Sequence, residues 1–139
     1  MTPTAGYSGT PLVKKLGIKP GMRVLFVNPP EDYEATLGPL PESVVRLKAT
    51  QPELDFIHFF AKQASELKAH LSELKSALAR DGMLWISWPK NTSKVPTDLS
   101  ESVVREIGLG AGLVDIKVAA VDAVWSGLKF VYRLADRKA

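Results

Sequence analysis

Trp88-Pro89-Lys90-Asn91-Thr92-Ser93-Lys94 is the stretch of this sequence with the most chemical character. Two lysines and neighbouring hydroxyls follow an apolar run and precede a segment rich in helix-capping residues. That combination suits a small anion, because the first N–H groups of a helix point outward and attract negative charge. The same residues also make an ordinary solvated loop. Asn28-Pro29-Pro30 closes another apolar run, and Glu31, Asp32 and Glu34 follow it. Acids there suit the dipole of a helix's first turn at least as well as proton transfer. Trp88 and Trp125 stand at the ends of elements, where an aromatic side chain either packs or lines a pocket or interface. Trp85 lies inside an apolar run and reads as core. Asn28, Trp88, Lys90, Lys94 and Trp125 are therefore the expected ligand-lining residues.

Other chemistries find little support. The chain has no cysteine, which excludes disulfides, thiolate metal sites and cysteine nucleophiles together. His58 and His70 fall on separate elements without ligand spacing, so they read as packed or surface residues rather than a metal site. Trp125-Ser126-Gly127 lacks the Gly-x-Ser-x-Gly turn of a nucleophilic serine. No catalytic residue, metal or cofactor is expected. Lys and Arg number 18 against 15 Asp and Glu, an excess too small and scattered to argue for nucleic acid. No apolar run approaches a membrane span, and no signal peptide is visible, so the expected setting is cytoplasmic.

The elements that must position these residues follow from pattern. Residues 1–10 read as a flexible tail and residues 11–139 as one domain. Thr10 to Leu16 suits a short helix, capped by Thr10, with Pro11 at its first position and Gly17 at its end. Met22 to Asn28, Asp55 to Phe60 and Met83 to Trp88 are continuous apolar runs, the mark of strands buried on both faces. Glu31 to Leu37 suits a short helix, and Ser43 to Lys48 a second strand. Leu67, Leu71, Leu74 and Leu78 stripe one face of a helix over residues 62–80, with Gly82 as its left-handed cap. Thr97, Asp98 or Ser100 caps a helix through Ile107, and Gly108, Gly110 and Gly112 make a flexible turn. Val114 to Val121 and Gly127 to Leu134 are two last strands, joined as a hairpin or by a longer loop. Leu128, Phe130, Tyr132 and Leu134 mark the inward face. One link is short: about six residues separate Lys48 from Asp55, where a parallel crossover usually needs a dozen.

Strands alternating with helices give an α/β sheet, mainly parallel, ending in an antiparallel strand pair. Such sheets bind ligands beyond the carboxyl ends of their strands, where strand order reverses. The order of elements from residue 20 onward resembles the adenosyl-methionine methyltransferases, which implies a single three-layer, Rossmann-like, methyltransferase-like sheet. The glycine loop such enzymes need after the first strand is replaced by Asn28-Pro29-Pro30, and no acid closes the second strand, Arg46-Leu47-Lys48. Asn28-Pro29-Pro30 resembles part of the Asn-Pro-Pro-aromatic motif of amino-group methyltransferases, but Glu31 stands where the aromatic belongs and Tyr33 comes two residues late. The phrases Ser87-Trp88-Pro89-Lys90 and Val124-Trp125-Ser126-Gly127-Leu128-Lys129-Phe130 resemble a family of small bacterial proteins known only as a domain of unknown function. That resemblance runs over nearly the whole chain and implies a bacterial, cytoplasmic protein. The expected function is a non-catalytic module that binds a protein partner or a small anionic ligand. The alternatives are a minimal methyltransferase with an altered cofactor loop, and a structural subunit that uses exposed tryptophans in an oligomer.

Overall fold

A strand that is apolar on both faces is stable only where both faces are covered, and the three apolar runs form the middle of the sheet. The computed structural model describes residues 11–137. The expected tail, and Thr10 as a helix cap, lie outside the described residues. Strands β1 (Arg23–Val27), β2 (Val45–Leu47), β3 (Leu54–Phe60), β4 (Leu78–Pro89), β5 (Leu113–Ala120) and β6 (Trp125–Tyr132) form one six-stranded sheet in the order β2-β1-β3-β4-β6-β5. β2, β1, β3 and β4 are mutually parallel, and β6 is antiparallel to both β4 and β5. Helices α1 (Leu12–Leu16) and α2 (Tyr33–Leu37) pack on one face, with Phe26, Phe56, Phe60 and Trp85 beneath them. Helices α3 (Ala64–Ala77) and α4 (Glu101–Gly110) pack on the other, over Ile57, Phe59, Leu84 and Phe130. A last turn, α5, spans Leu134–Arg137. No described helix is long and apolar enough to cross a membrane.

The short link from β2 to β3 is accommodated by the length of β2. Val45–Leu47 covers only the first levels of β1, with Arg23 opposite Val45 and Leu25 opposite Leu47. The chain therefore descends about three residue levels, roughly 10 Å, before β3 begins. An extended segment over residues 48–53 reaches about 20 Å, so no helix is needed there.

Several boundaries differ from the pattern-based expectation, each for a local reason. Pro11 is itself the residue preceding α1, in extended conformation, and Gly17 ends the helix at φ 93°. The long helix stops at Ala77, because Leu78 turns extended and pairs with Leu54. Gly82 is thus not a left-handed cap. It sits inside β4, where the register against β3 slips, and a Cβ there would lie 2.9 Å from the Leu54 carbonyl oxygen. Helix α4 is capped by Ser100, whose Oγ accepts from Val103 N at 3.3 Å. Asp98 instead serves α3, accepting from Ala64 N at 2.7 Å. Gly108 and Gly110 belong to α4, and only Gly112, at φ 94°, makes the turn. β5 and β6 form a hairpin whose loop, residues 121–124, is closed by Asp122 Oδ1 accepting from Val124 N and Trp125 N, each at 2.8 Å. Leu134 falls beyond β6 and is exposed, so it does not continue the inward stripe.

Gly108 is the closest contact between α4 and the sheet. A Cβ there would overlap the fully buried Phe130 ring. Alanine is a better helix former than glycine by about 1 kcal/mol, yet Gly108→Ala is expected to destabilise the protein by about 1–3 kcal/mol through overpacking. Gly110→Ala, which meets open space, should be neutral or mildly stabilising. Urea unfolding of the two variants checks the contrast.

Candidate functional site

Strand order reverses between β1 and β3: the chain leaves β1 toward β2 on one side and returns to β3 on the other. Beyond the carboxyl ends of these strands lies a cleft of about 490 Å³. Asn28-Pro29-Pro30 forms one wall. Asn28 adopts a left-handed conformation, φ 56°, which asparagine tolerates better than most residues. Its amide Nδ2 donates to Glu66 Oε2 at 3.4 Å, while Glu66 Oε1 accepts from Lys62 N at 3.1 Å. One carboxylate in the first turn of α3 therefore ties together the loops after β1 and after β3. Phe60 and Trp125 meet edge to face, ring centroids 5.2 Å apart, and with Val95 and Val124 give the cleft its apolar side.

Behind this cleft lies a buried polar chain. His58 and Ser87 are wholly enclosed, and Tyr33 is 1% exposed. His58 Nδ1 is 2.7 Å from Tyr33 Oη, and His58 Nε2 is 2.7 Å from Ser87 Oγ. A neutral imidazole donates from one nitrogen and accepts at the other, so both hydroxyls are satisfied in either tautomer. Among the described residues no buried side-chain N or O lacks a partner. Burial pushes the His58 imidazolium pKa down to about 3. It also holds the Tyr33 phenol well above its ordinary range, against a weaker opposing pull from Arg46. Both groups stay neutral at physiological pH, and neither reaches solvent as an acid or base. The His58 ring also stacks on Phe60, 4.0 Å between centroids, and Tyr33 N donates to Pro30 O at 3.0 Å. The chain thus fixes both the floor of the cleft and its proline wall.

Of the expected ligand-lining residues, Asn28 and Trp125 come together in the cleft. Trp88, Lys90 and Lys94 are not among the residues that line it. Trp88 is buried on the opposite face of the sheet, in the cluster with Leu99 and Val104. Lys90 staples the hairpin loop, its Nζ donating to Asp122 O at 2.7 Å. Lys94 is exposed and left-handed, φ 64°, after the single turn Asn91–Ser93, and α4 begins only at Glu101. The loop after β4 therefore does not aim its lysines at a helix N-terminus. Trp85, Trp88 and Trp125 are all buried, which removes exposed tryptophans as an oligomer surface. Phe60 closes the Asp55 to Phe60 run, one of the strand ends where a site is expected, and it lines the cleft; Lys62 and Glu66 line it without having been singled out by pattern. His58 did carry a signal: a histidine in a strand covered on both faces must find two partners. His70 is exposed, and no metal-ligating cluster occurs among the described residues.

No family model matches the chain, and no curated protein matches it in sequence. The resemblance to a small bacterial domain-of-unknown-function family is therefore unsupported. Solved structures are similar in fold. A SAM-dependent methyltransferase from Aquifex aeolicus superposes with a TM-score of 0.61 at 22% identity, covering 85% of this chain and 86% of that one. Magnesium protoporphyrin IX methyltransferase from Synechocystis, with bound SAH, gives 0.59 at 13% identity over 88% of this chain and 78% of that one. Fibrillarin from Aeropyrum pernix, in complex with S-adenosyl-L-methionine, gives 0.56 at 14% identity over 84% and 69%. The chain thus has the Rossmann-like fold of these methyltransferases.

The buried histidine makes stability depend on pH. Its folded pKa lies below its unfolded value of about 6.5. The unfolded state therefore binds the proton first, and stability falls as pH drops below about 6.5, by up to about 1.4 kcal/mol per pH unit. Urea unfolding at intervals from neutral pH down to pH ~5, above the carboxylate range, should show this slope. A flat profile would contradict a neutral, enclosed His58. Tyr33→Phe should cost about 1–3 kcal/mol by orphaning a buried ring nitrogen.

Proposed function

We propose that this protein is a methyltransferase-like module that binds a small anionic ligand in the cleft beyond β1 and β3 and does not transfer methyl groups. The observation that carries the reading is the wall after β1. Glycine there would let the backbone approach a nucleoside cofactor closely, whereas Pro29 and Pro30 offer no N–H donors and add bulk. The cleft is nonetheless kept and built. Asn28 is held in a left-handed conformation by Glu66, and Phe60 and Trp125 are locked edge to face. Lys62 forms no ion pair among the described residues, and its exposed ammonium is the cation available to a ligand. A flat apolar body against Phe60 and Trp125, with an anionic end toward Lys62, fits this lining.

Thermal unfolding tests the reading with two kinds of probe. Adenosyl-methionine and adenosyl-homocysteine at millimolar concentration should leave the melting temperature unchanged. An aromatic carboxylate such as benzoate should raise it, and Lys62→Ala should abolish the rise. A ligand at a hundredfold its dissociation constant adds about 2.7 kcal/mol, a shift of roughly 5–10 °C for a chain of this size. A shift of that size with adenosyl-homocysteine would overturn the proposal and favour a methyltransferase with an altered cofactor loop.

A further inference from the structure

The part of the sheet formed by β5 and β6 carries a lysine cluster on the α1 side. Lys117 and Lys129 are direct cross-strand partners. Lys129 is also the neighbour of Trp85 on β4, and Trp85 packs beneath α1 with its Nε1 donating to Leu16 O at 2.8 Å. Both lysines therefore project to the face that α1 occupies, and Lys19 follows Ile18, which packs on that same face with Trp85. Like charges set directly opposite each other on a sheet are destabilising. Here the pair includes a half-buried member. Burial lowers the Lys129 pKa, and the nearby Lys117 and Lys19 lower it further. None of the three forms an ion pair among the described residues. The acid close by in sequence, Asp115, is turned to α4, where Arg105 Nε donates to its carboxylate at 2.9 Å. The Asp122 carboxylate is held within its own hairpin loop.

Repulsion of this kind is relieved by an anion that all three ammonium groups can reach. We infer that Lys19, Lys117 and Lys129 form an oxyanion seat for a phosphate group, on the β5–β6 face and separate from the cleft. Lysine binds phosphate as a point charge without a fixed fork, so three side chains, from β5, β6 and the loop after α1, can converge on one group. The phosphate belongs either to a small phosphorylated molecule or to a nucleic acid backbone, and the chemistry at the seat is the same.

The experiment compares thermal unfolding in pyrophosphate with unfolding in sodium chloride of equal ionic strength, for the full chain and for Lys117→Gln and Lys129→Gln. Pyrophosphate should stabilise the natural protein by several degrees beyond chloride, and either substitution should remove most of that gain. Each variant alone, at low salt and without phosphate, should melt at or above the natural protein, because a repulsive charge is gone. That readout separates a lost seat from a damaged fold. Lys62→Ala should keep the full pyrophosphate response, which distinguishes this seat from the cleft. A titration with single-stranded oligonucleotide identifies the source. Binding whose salt slope falls by about one for each lysine removed assigns the seat to a nucleic acid backbone. A response to pyrophosphate alone assigns it to a small phosphorylated ligand. Equal stabilisation by chloride and pyrophosphate, or a pyrophosphate response that survives both substitutions, would overturn the inference.

Discussion

His58 lies in a central strand with both ring nitrogens bonded inside the protein, and that arrangement constrains four elements at once. Tyr33 reaches it from α2 and Ser87 from β4, each at 2.7 Å. β6 supplies Gly127 opposite Ser87, and a Cβ on that glycine would stand 2.9 Å from Ser87 Oγ and 3.2 Å from Trp85. A buried polar network is stabilising only when each member is satisfied, because an orphaned donor or acceptor keeps its desolvation cost. Tyrosine, histidine, serine and glycine are thus mutually dependent choices at positions far apart in sequence.

The cleft inherits its shape from that network. Tyr33 is one turn beyond Pro30, so the hydrogen bond to His58 sets where the proline wall stands. Phe60 stacks on the His58 ring and meets Trp125 edge on, so the same ring fixes the apolar floor. On the solvent side Glu66 joins Asn28 to the backbone after β3. A rigid scaffold of this kind suits recognition, since little conformational freedom remains to be lost when a ligand binds. It also explains how the cleft is held open with two prolines in its wall.

Much of the fold was legible from the chain. Continuous apolar runs marked β1, β3 and the core of β4, and the Leu67, Leu71, Leu74 stripe marked α3. The misplaced boundaries share a cause: a tertiary partner overrode a local signal. Gly82 looked like a helix cap and proved to be the gap that lets β4 pass the Leu54 carbonyl. Gly108 looked like a turn and proved to be where α4 touches Phe130. Asp98 looked like a cap for the following helix and caps the preceding one. The site was legible only in part. Asn28 and Trp125 sit at strand ends, where periodicity points. Trp88 is one residue from the end of β4, but its side chain faces α4, and Lys90 is taken up by a loop carbonyl. Lys19, Lys117 and Lys129 are scattered in sequence, and only the antiparallel register of β5 and β6 brings two of them face to face.

The central claim is that a neutral, fully enclosed His58 organises the sheet and the cleft. Nuclear magnetic resonance of the imidazole nitrogens across the acid range tests it most directly. His58 should show both nitrogens hydrogen-bonded and should stay neutral until the fold itself is lost, consistent with a pKa of about 3. A His58 ring that titrates near the ordinary value of about 6.5 in the folded protein would contradict the account.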